Sequence, residues 1–174
     1  MKKLLLALPL LLLFGCPVID EGPPDEIEGL RPIYISDDSW KEIQSAPARA
    51  IKKLGKIYYK DGLIYVAETN EGIHVIDNTD PTNPVFIKFI EIIGCHDVAI
   101  KGNVLYADNV SDLVALDISN LDDIQVLSRT KDLYKNTQLS YPPTYEGYFE
   151  CVDPALGTII GWEAATLYSP ECFR

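Results

Sequence analysis

Cys95-His96-Asp97 sets a thiol, an imidazole and a carboxylate side by side. Those are the group types of nucleophilic catalysis. Neighbours on a strand point to opposite faces, so these three cannot form a triad among themselves. Strand-entry packing and turn bonding fit them better, and no catalytic residue is assigned. Asp77, Asn78, Asp80 and Asn83 place several oxygens within seven residues, and calcium takes about six to eight. The D-x-[DN]-x-[DN]-G loop is not there, and turn capping is the expected role. His74 sits beside Val75 and Ile76 without an evident second ligand, so it reads as a hydrogen-bonded packing residue. No metal and no cofactor are expected. Glu68, Asp108 and Glu150 are the acids a glycan-active enzyme would need, as a pair about 5–10 Å apart in a cleft. Tyr141, Tyr145, Tyr148, Phe149 and Trp162 concentrate aromatic rings near the C-terminus. They form a candidate binding surface for sugar rings or a protein partner; the alternative is that they cap an open sheet face.

These residues need elements to hold them. From Lys56 onward, KIYYK, LIYVAET, GIHVID and PVFIKFIEI are short runs rich in β-branched and aromatic residues. Asp61-Gly62, Asn70-Glu71-Gly72 and Asp80-Pro81 punctuate them. HDVAIKG, NVLYADN, DLVALDI and IQVLSRT repeat the unit forty positions later. Gly62 aligns with Gly102, Ala67 with Ala107, Glu68 with Asp108, and Asp77 with Asp117. The glycines suit a tight turn with positive φ. The aspartates can accept backbone amides of the next turn, as can Thr79 and Ser119. A four-stranded unit of this period is the signature of a β-propeller blade. Leu63 to Ala67, Val104 to Ala107 and Leu113 to Leu116 are apolar in succession. Such strands must be covered on both faces, which predicts sheets stacked face to face.

At the N-terminus, Lys2 and Lys3 precede an apolar run from Leu4 to Phe14. The run is too short for a bilayer span of about 20 residues and has the layout of a secretory signal. Leu13-Phe14-Gly15-Cys16 resembles the bacterial lipobox. The resemblance implies cleavage after residue 15, lipid on Cys16 and membrane attachment through it; two or more acyl chains give a stable anchor. Residues 16–30 then read as the lipidated cysteine and a flexible acidic tether. Asp20-Glu21 resembles the acidic tags of surface-exposed lipoproteins, and an acidic spacer is the plainer reading. Removing residues 1–15 takes away two lysines and no acid, so the net charge of −11 becomes −13. Such a surface repels nucleic acid and anionic headgroups, and no nucleic-acid partner is expected. With Cys16 lipidated, three cysteines remain. Cys151 and Cys172 flank one expected hairpin and are a possible disulfide. Cys95 reads as a buried small hydrophobe.

GIHVIDNTDPTNP and LVALDISN resemble the LVIVD repeat of bacterial β-propeller proteins. GKIYYKDGLIYVAETNEGIHVIDNTDP, KGNVLYADNVSDLVALDIS and YFECVDPALGTIIGWE, in that order behind a lipobox, resemble exported LVIVD-repeat lipoproteins of Bacteroidetes type. The likeness spans about Arg31 to the C-terminus and transfers no catalytic residue. It departs in showing two repeats, where a closed propeller has about four to eight blades.

The expected architecture is therefore mostly β. Two four-stranded propeller-type blades at about 55–92 and 96–131 form an incomplete propeller within a β-repeat domain at 31–174. A short N-terminal helix at 36–45 and a C-terminal β-hairpin at about 145–168 complete it. The expected function is a non-enzymatic envelope lipoprotein, most simply in the outer membrane with a surface-facing placement as a further option, that binds or scaffolds protein or glycan partners and could pair with itself through blade faces. The alternatives are the glycan-active enzyme and a remnant of a longer propeller without independent activity.

Overall fold

The computed structural model describes residues 22–134 and 140–174. The expected signal segment, Cys16 and the first part of the expected tether lie outside the described residues.

The first repeat folds as β3 (Leu54–Lys60), β4 (Leu63–Glu68), β5 (Gly72–Asp77) and β6 (Val85–Glu91), with β2 (Gln44–Pro47) added on β6. The second folds as β7 (Val98–Lys101), β8 (Val104–Asn109), β9 (Asp112–Asp117) and β10 (Gln125–Thr130). Both are antiparallel meanders. A third sheet has the order β12 (Thr158–Tyr168), β1 (Glu26–Ile35), β11 (Tyr148–Phe149), β13 (Cys172–Phe173). The chain is mostly β, and none of these sheets closes on itself.

The main core lies between the two repeats. Tyr65, Ala67, Ile73, Val75 and Ile90 of the first meet Val98, Ile100, Leu105, Ala107, Val114 and Leu116 of the second. The Tyr58 hydroxyl donates across the gap to the Ile100 carbonyl at 2.8 Å. Lys56 reaches Asp97 at 2.7 Å, and Lys88 pairs with Asp122 at the rim.

The repeats do not present equivalent faces to this core. Ile73 and Val75 lie four and two residues before Asp77, whereas Val114 and Leu116 lie three and one before Asp117. Side chains alternate across a strand, so opposite faces are used and the packing is head to tail. The partner strand obeys the same rule. Leu63 pairs with Asp77 while Val104 pairs with Asp117, so β8 is offset from β4 by one residue more than the sequence repeat. This corrects the alignment of Gly62 with Gly102, Ala67 with Ala107 and Glu68 with Asp108. The turns explain the slip. Asp61 and Gly62 both have positive φ, at 51° and 82°, whereas in the second turn Gly102, the first residue, takes φ 59°. The glycine is second in one two-residue turn and first in the other. Accordingly Asn78 N donates to the Gly62 carbonyl, but Ile118 N donates to that of Asn103. A one-residue slip exchanges the faces of a strand.

Three expectations are corrected. Residues 36–45 form no α-helix: Ser39–Lys41 make one 3-10 turn and Gln44–Pro47 pair with Glu91 to Lys88 of β6. A short isolated helix is marginal, and the free edge of β6 offers ladder bonds instead. Trp40 is buried and Ile43 packs against the core, so both apolar residues are covered without a helix. Second, β1 begins at Glu26, inside the stretch expected as tether, and pairs with β12 from Glu26↔Tyr168 to Ile35↔Thr158. Third, residues 145–168 form no hairpin, because β1 is interposed between β11 and β12. Gly29 permits this: a Cβ there would fall on the Tyr148 carbonyl oxygen and the Leu167 side chain.

Candidate functional site

Each repeat carries a carboxylate that folds its entry loop. At the end of β4, the fully buried Glu68 accepts the Lys52 and Lys53 amides and pairs with Arg49 at 2.9 Å. His74, also fully buried, lies 2.8 Å from it through Nε2. Burial would raise the Glu68 carboxyl, but the Lys52 amide, His74, the Lys53 amide and Arg49 together bring it down to about 2. In β8, Asp108 Oδ1 accepts the amides of His96 and Asp97, each at 2.8 Å, and Oδ2 meets His96 Nδ1 at 3.0 Å. Burial would raise Asp108 as well; the His96 and amide hydrogen bonds outweigh it and hold the carboxyl below its usual range.

Cys95, His96 and Asp97 have separate partners. His96 turns to Asp108. Cys95 is fully buried, and burial with the nearby Asp108 pushes its thiol well up, so it stays neutral. Asp97 accepts Lys56.

The turn aspartates sit where a turn needs them. Asp77 Oδ1 accepts Thr79 N at 2.9 Å and its hydroxyl at 2.8 Å. Asp117 Oδ1 accepts Ser119 N at 2.8 Å, and Asp80 serves Thr82 in the same way. The backbone bond to Thr79 first, and then its hydroxyl, lowers the Asp77 carboxyl. Among the described residues, no group of three or more His, Cys, Asp or Glu side chains is placed to hold a metal ion.

Three sheets meet at a cleft of about 350 Å³. The first repeat contributes Lys53, Thr69 and Asn70, the second His96 and Val110, and the third sheet Leu30, Ile159 and Trp162; Pro142, Pro143 and Thr144 form a further wall. Asn70 joins the two repeats through its backbone: its N–H donates to the Cys95 carbonyl at 2.8 Å, and its carbonyl accepts Gly94 N at 2.9 Å. Among the described residues, Asn70 Oδ1 and Trp162 Nε1 are buried without a hydrogen-bond partner. Buried polar atoms are ordinarily paired; Trp40 Nε1, Arg49 Nε and His74 Nδ1, away from the cleft, lack a partner as well. Lys53 and His96 are among the residues that line the cleft of this chain, whose net charge is −11.

The matching stretches are 56–90 and 95–126, both to the LVIVD repeat. The chain carries two LVIVD repeats. Comparison with curated proteins and with solved structures finds no match. The two LVIVD repeats hold β3 to β6 and β7 to β10, and the cleft opens where their end loops meet the third sheet.

The five aromatic residues are not one surface. Trp162 reaches the cleft, and Phe149 is buried edge-on against it with centroids 5.7 Å apart. Tyr148 packs on Phe173 at 4.9 Å, Tyr141 lies under the Arg174 guanidinium at 4.1 Å, and the Tyr145 hydroxyl donates to the Tyr148 carbonyl at 3.2 Å. Cys151 and Cys172 form a disulfide that ties β13 to the end of β11. Sequence reasoning did not find Lys53, Thr69 and Asn70 as cleft residues, because only the docking of the third sheet makes a wall opposite them.

Proposed function

We propose that this chain is an exported, lipid-anchored envelope lipoprotein whose LVIVD repeats act as two blades of an incomplete propeller and whose cleft binds a glycan without chemical turnover. The cleft carries the reading. One wall is aromatic and aliphatic, from Trp162 and Ile159, and the facing residues Thr69, Asn70, His96 and Lys53 are polar. An apolar platform opposed by hydrogen-bonding groups suits a sugar ring, which has one apolar face and a polar rim. Lys53 and His96 favour a sugar bearing a carboxylate or another acidic group.

The carboxylates support binding over turnover. Glu68 is fully buried under amides, Arg49 and His74, and Glu150 is half-exposed beside Arg31. Asp108 is spent on the His96 loop. A second reading rests on one observation: His96, held by Asp108, borders the cleft and could act as a general base. The head-to-tail packing of the repeats supports blades, and the Cys151–Cys172 disulfide supports export to an oxidising compartment.

Titration of the mature protein with acidic oligosaccharides of bacterial envelopes tests the reading. Saturable binding should weaken about tenfold or more in Trp162→Ala and in Lys53→Glu, with the sugar recovered intact. No binding by the wild type overturns it, and sugar cleavage lost in His96→Ala replaces it with the enzymatic reading. Separately, Cys16→Ala should move the protein from the membrane fraction to the soluble one.

A further inference from the structure

Among the described residues, one outward sheet face on each repeat keeps exposed apolar side chains. On the first repeat, Ile57, Tyr59, Val66, His74, Ile76 and Phe86 share the face turned away from the core. Arg49 covers one end of that face, stacking on Phe89 at 3.8 Å, and Val66, His74 and Ile76 on its two middle strands are buried, whereas Ile57, Tyr59 and Phe86 on the flanking strands are 56%, 63% and 42% exposed. On the second repeat, Ala99, Tyr106, Ala115 and Ser128 form one row of the outward face, beside Val104 and Leu113. Tyr106 is 36% exposed at its centre.

These faces are not arbitrary. In the frame of the repeat, Val104 holds the position of Leu63, since each pairs with the aspartate that ends the next strand. The open face of the second repeat is therefore equivalent to the face with which the first repeat grips the second. The open face of the first is likewise equivalent to the face by which the second is gripped. Among the described residues, the chain displays, unmated, both halves of an interface it already makes once internally.

We propose that copies of this chain associate head to tail, the Tyr106 face of one copy packing on the Ile57–Tyr59–Phe86 face of the next. The interface is heterologous, so each copy keeps one free face until a ring closes. Blades close a propeller at about four to eight, which corresponds to about two to four copies of two repeats each. The proposal does not rest on glycan binding in the cleft, because the cleft lies at the loop ends and not on either face.

Sedimentation of the full mature lipoprotein in detergent micelles gives its mass, and cross-linking gives the polarity. One preparation carries Tyr59→Cys and a second carries Tyr106→Cys; Cys95 is buried and Cys151 and Cys172 are bonded, so a short bis-maleimide reads the new thiols. The expected result is an oligomer of two to four chains, cross-linked when the two preparations are mixed and not within either alone. Tyr106→Asp should return it to a folded monomer with unchanged cleft binding and a melting temperature that no longer depends on protein concentration. A wild-type monomer overturns the proposal, as does cross-linking within a single preparation, which would mean like faces meet. An oligomer that persists in both Tyr106→Asp and Phe86→Glu also overturns it.

Discussion

His96 Nδ1 lies 3.0 Å from Asp108 Oδ2, while the other oxygen of that carboxylate holds the backbone amides of His96 and Asp97. One buried side chain thus fixes both the loop that enters the second repeat and the imidazole that borders the cleft. Replacing Asp108 with Asn keeps the shape and removes the charge, and its amide group sets a donor against donors. Leaving buried amides without their charged acceptor costs about 2 kcal/mol. Asp108→Asn should lower stability by about that amount in urea unfolding and weaken cleft binding, whereas His96→Gln, which leaves both amides bonded, should weaken binding with a smaller loss of stability.

Glu68 makes a pH-dependent contribution. Its carboxyl is brought to about 2 in the folded chain, against about 4.3 when unfolded. The folded value is depressed, so the stabilisation is complete above about pH 5 and is lost as pH falls towards 2. Asp108 and Asp112 are lowered too and act in the same direction. Urea unfolding from pH 7 to pH 2 should show a decline to which Glu68 contributes about 3 kcal/mol. In Glu68→Gln the slope should be shallower, from a lower plateau at neutral pH.

The disulfide closes a loop with a sequence separation of 21. Cross-linking a loop of that size stabilises by about 3 kcal/mol through the unfolded state. A Cys151→Ser, Cys172→Ser variant should melt lower than wild type, with the loss concentrated in the third sheet when followed by hydrogen exchange. Native Cys95 should resist alkylation until the chain unfolds.

The repeat was legible because the Asp-ended strands and glycine turns recur forty positions apart; the two-sided burial expected of the apolar runs Leu63 to Ala67 and Val104 to Ala107 is not met in the second, where Tyr106 is 36% exposed. The turn aspartates were legible for a similar reason: Asp77 precedes Thr79 and Asp117 precedes Ser119 at the spacing of a side chain-to-backbone bond. The slip between β4 and β8 was not. Gly62 and Gly102 align in sequence, and only their different places in the two turns, set by φ, separate them. Nor was β1 legible, since Gly29 and Pro32 are poor strand residues by composition; Gly29 is needed where the strand passes the Tyr148 carbonyl. The cleft was the least accessible, because its walls come from segments as far apart as Lys53 and Trp162.

The stacking of the two repeats by opposite faces underlies both the position of the cleft and the pairing of copies. Methyl–methyl NOE spectroscopy on selectively labelled protein reads it most directly. Ile73 and Val75 should show cross-peaks to the set of Leu105, Val114 and Leu116, while Ala115 shows none to Ile73 or Val75. Cross-peaks from Leu113 and Ala115 to Ile73 and Val75 would place like faces together and contradict the account.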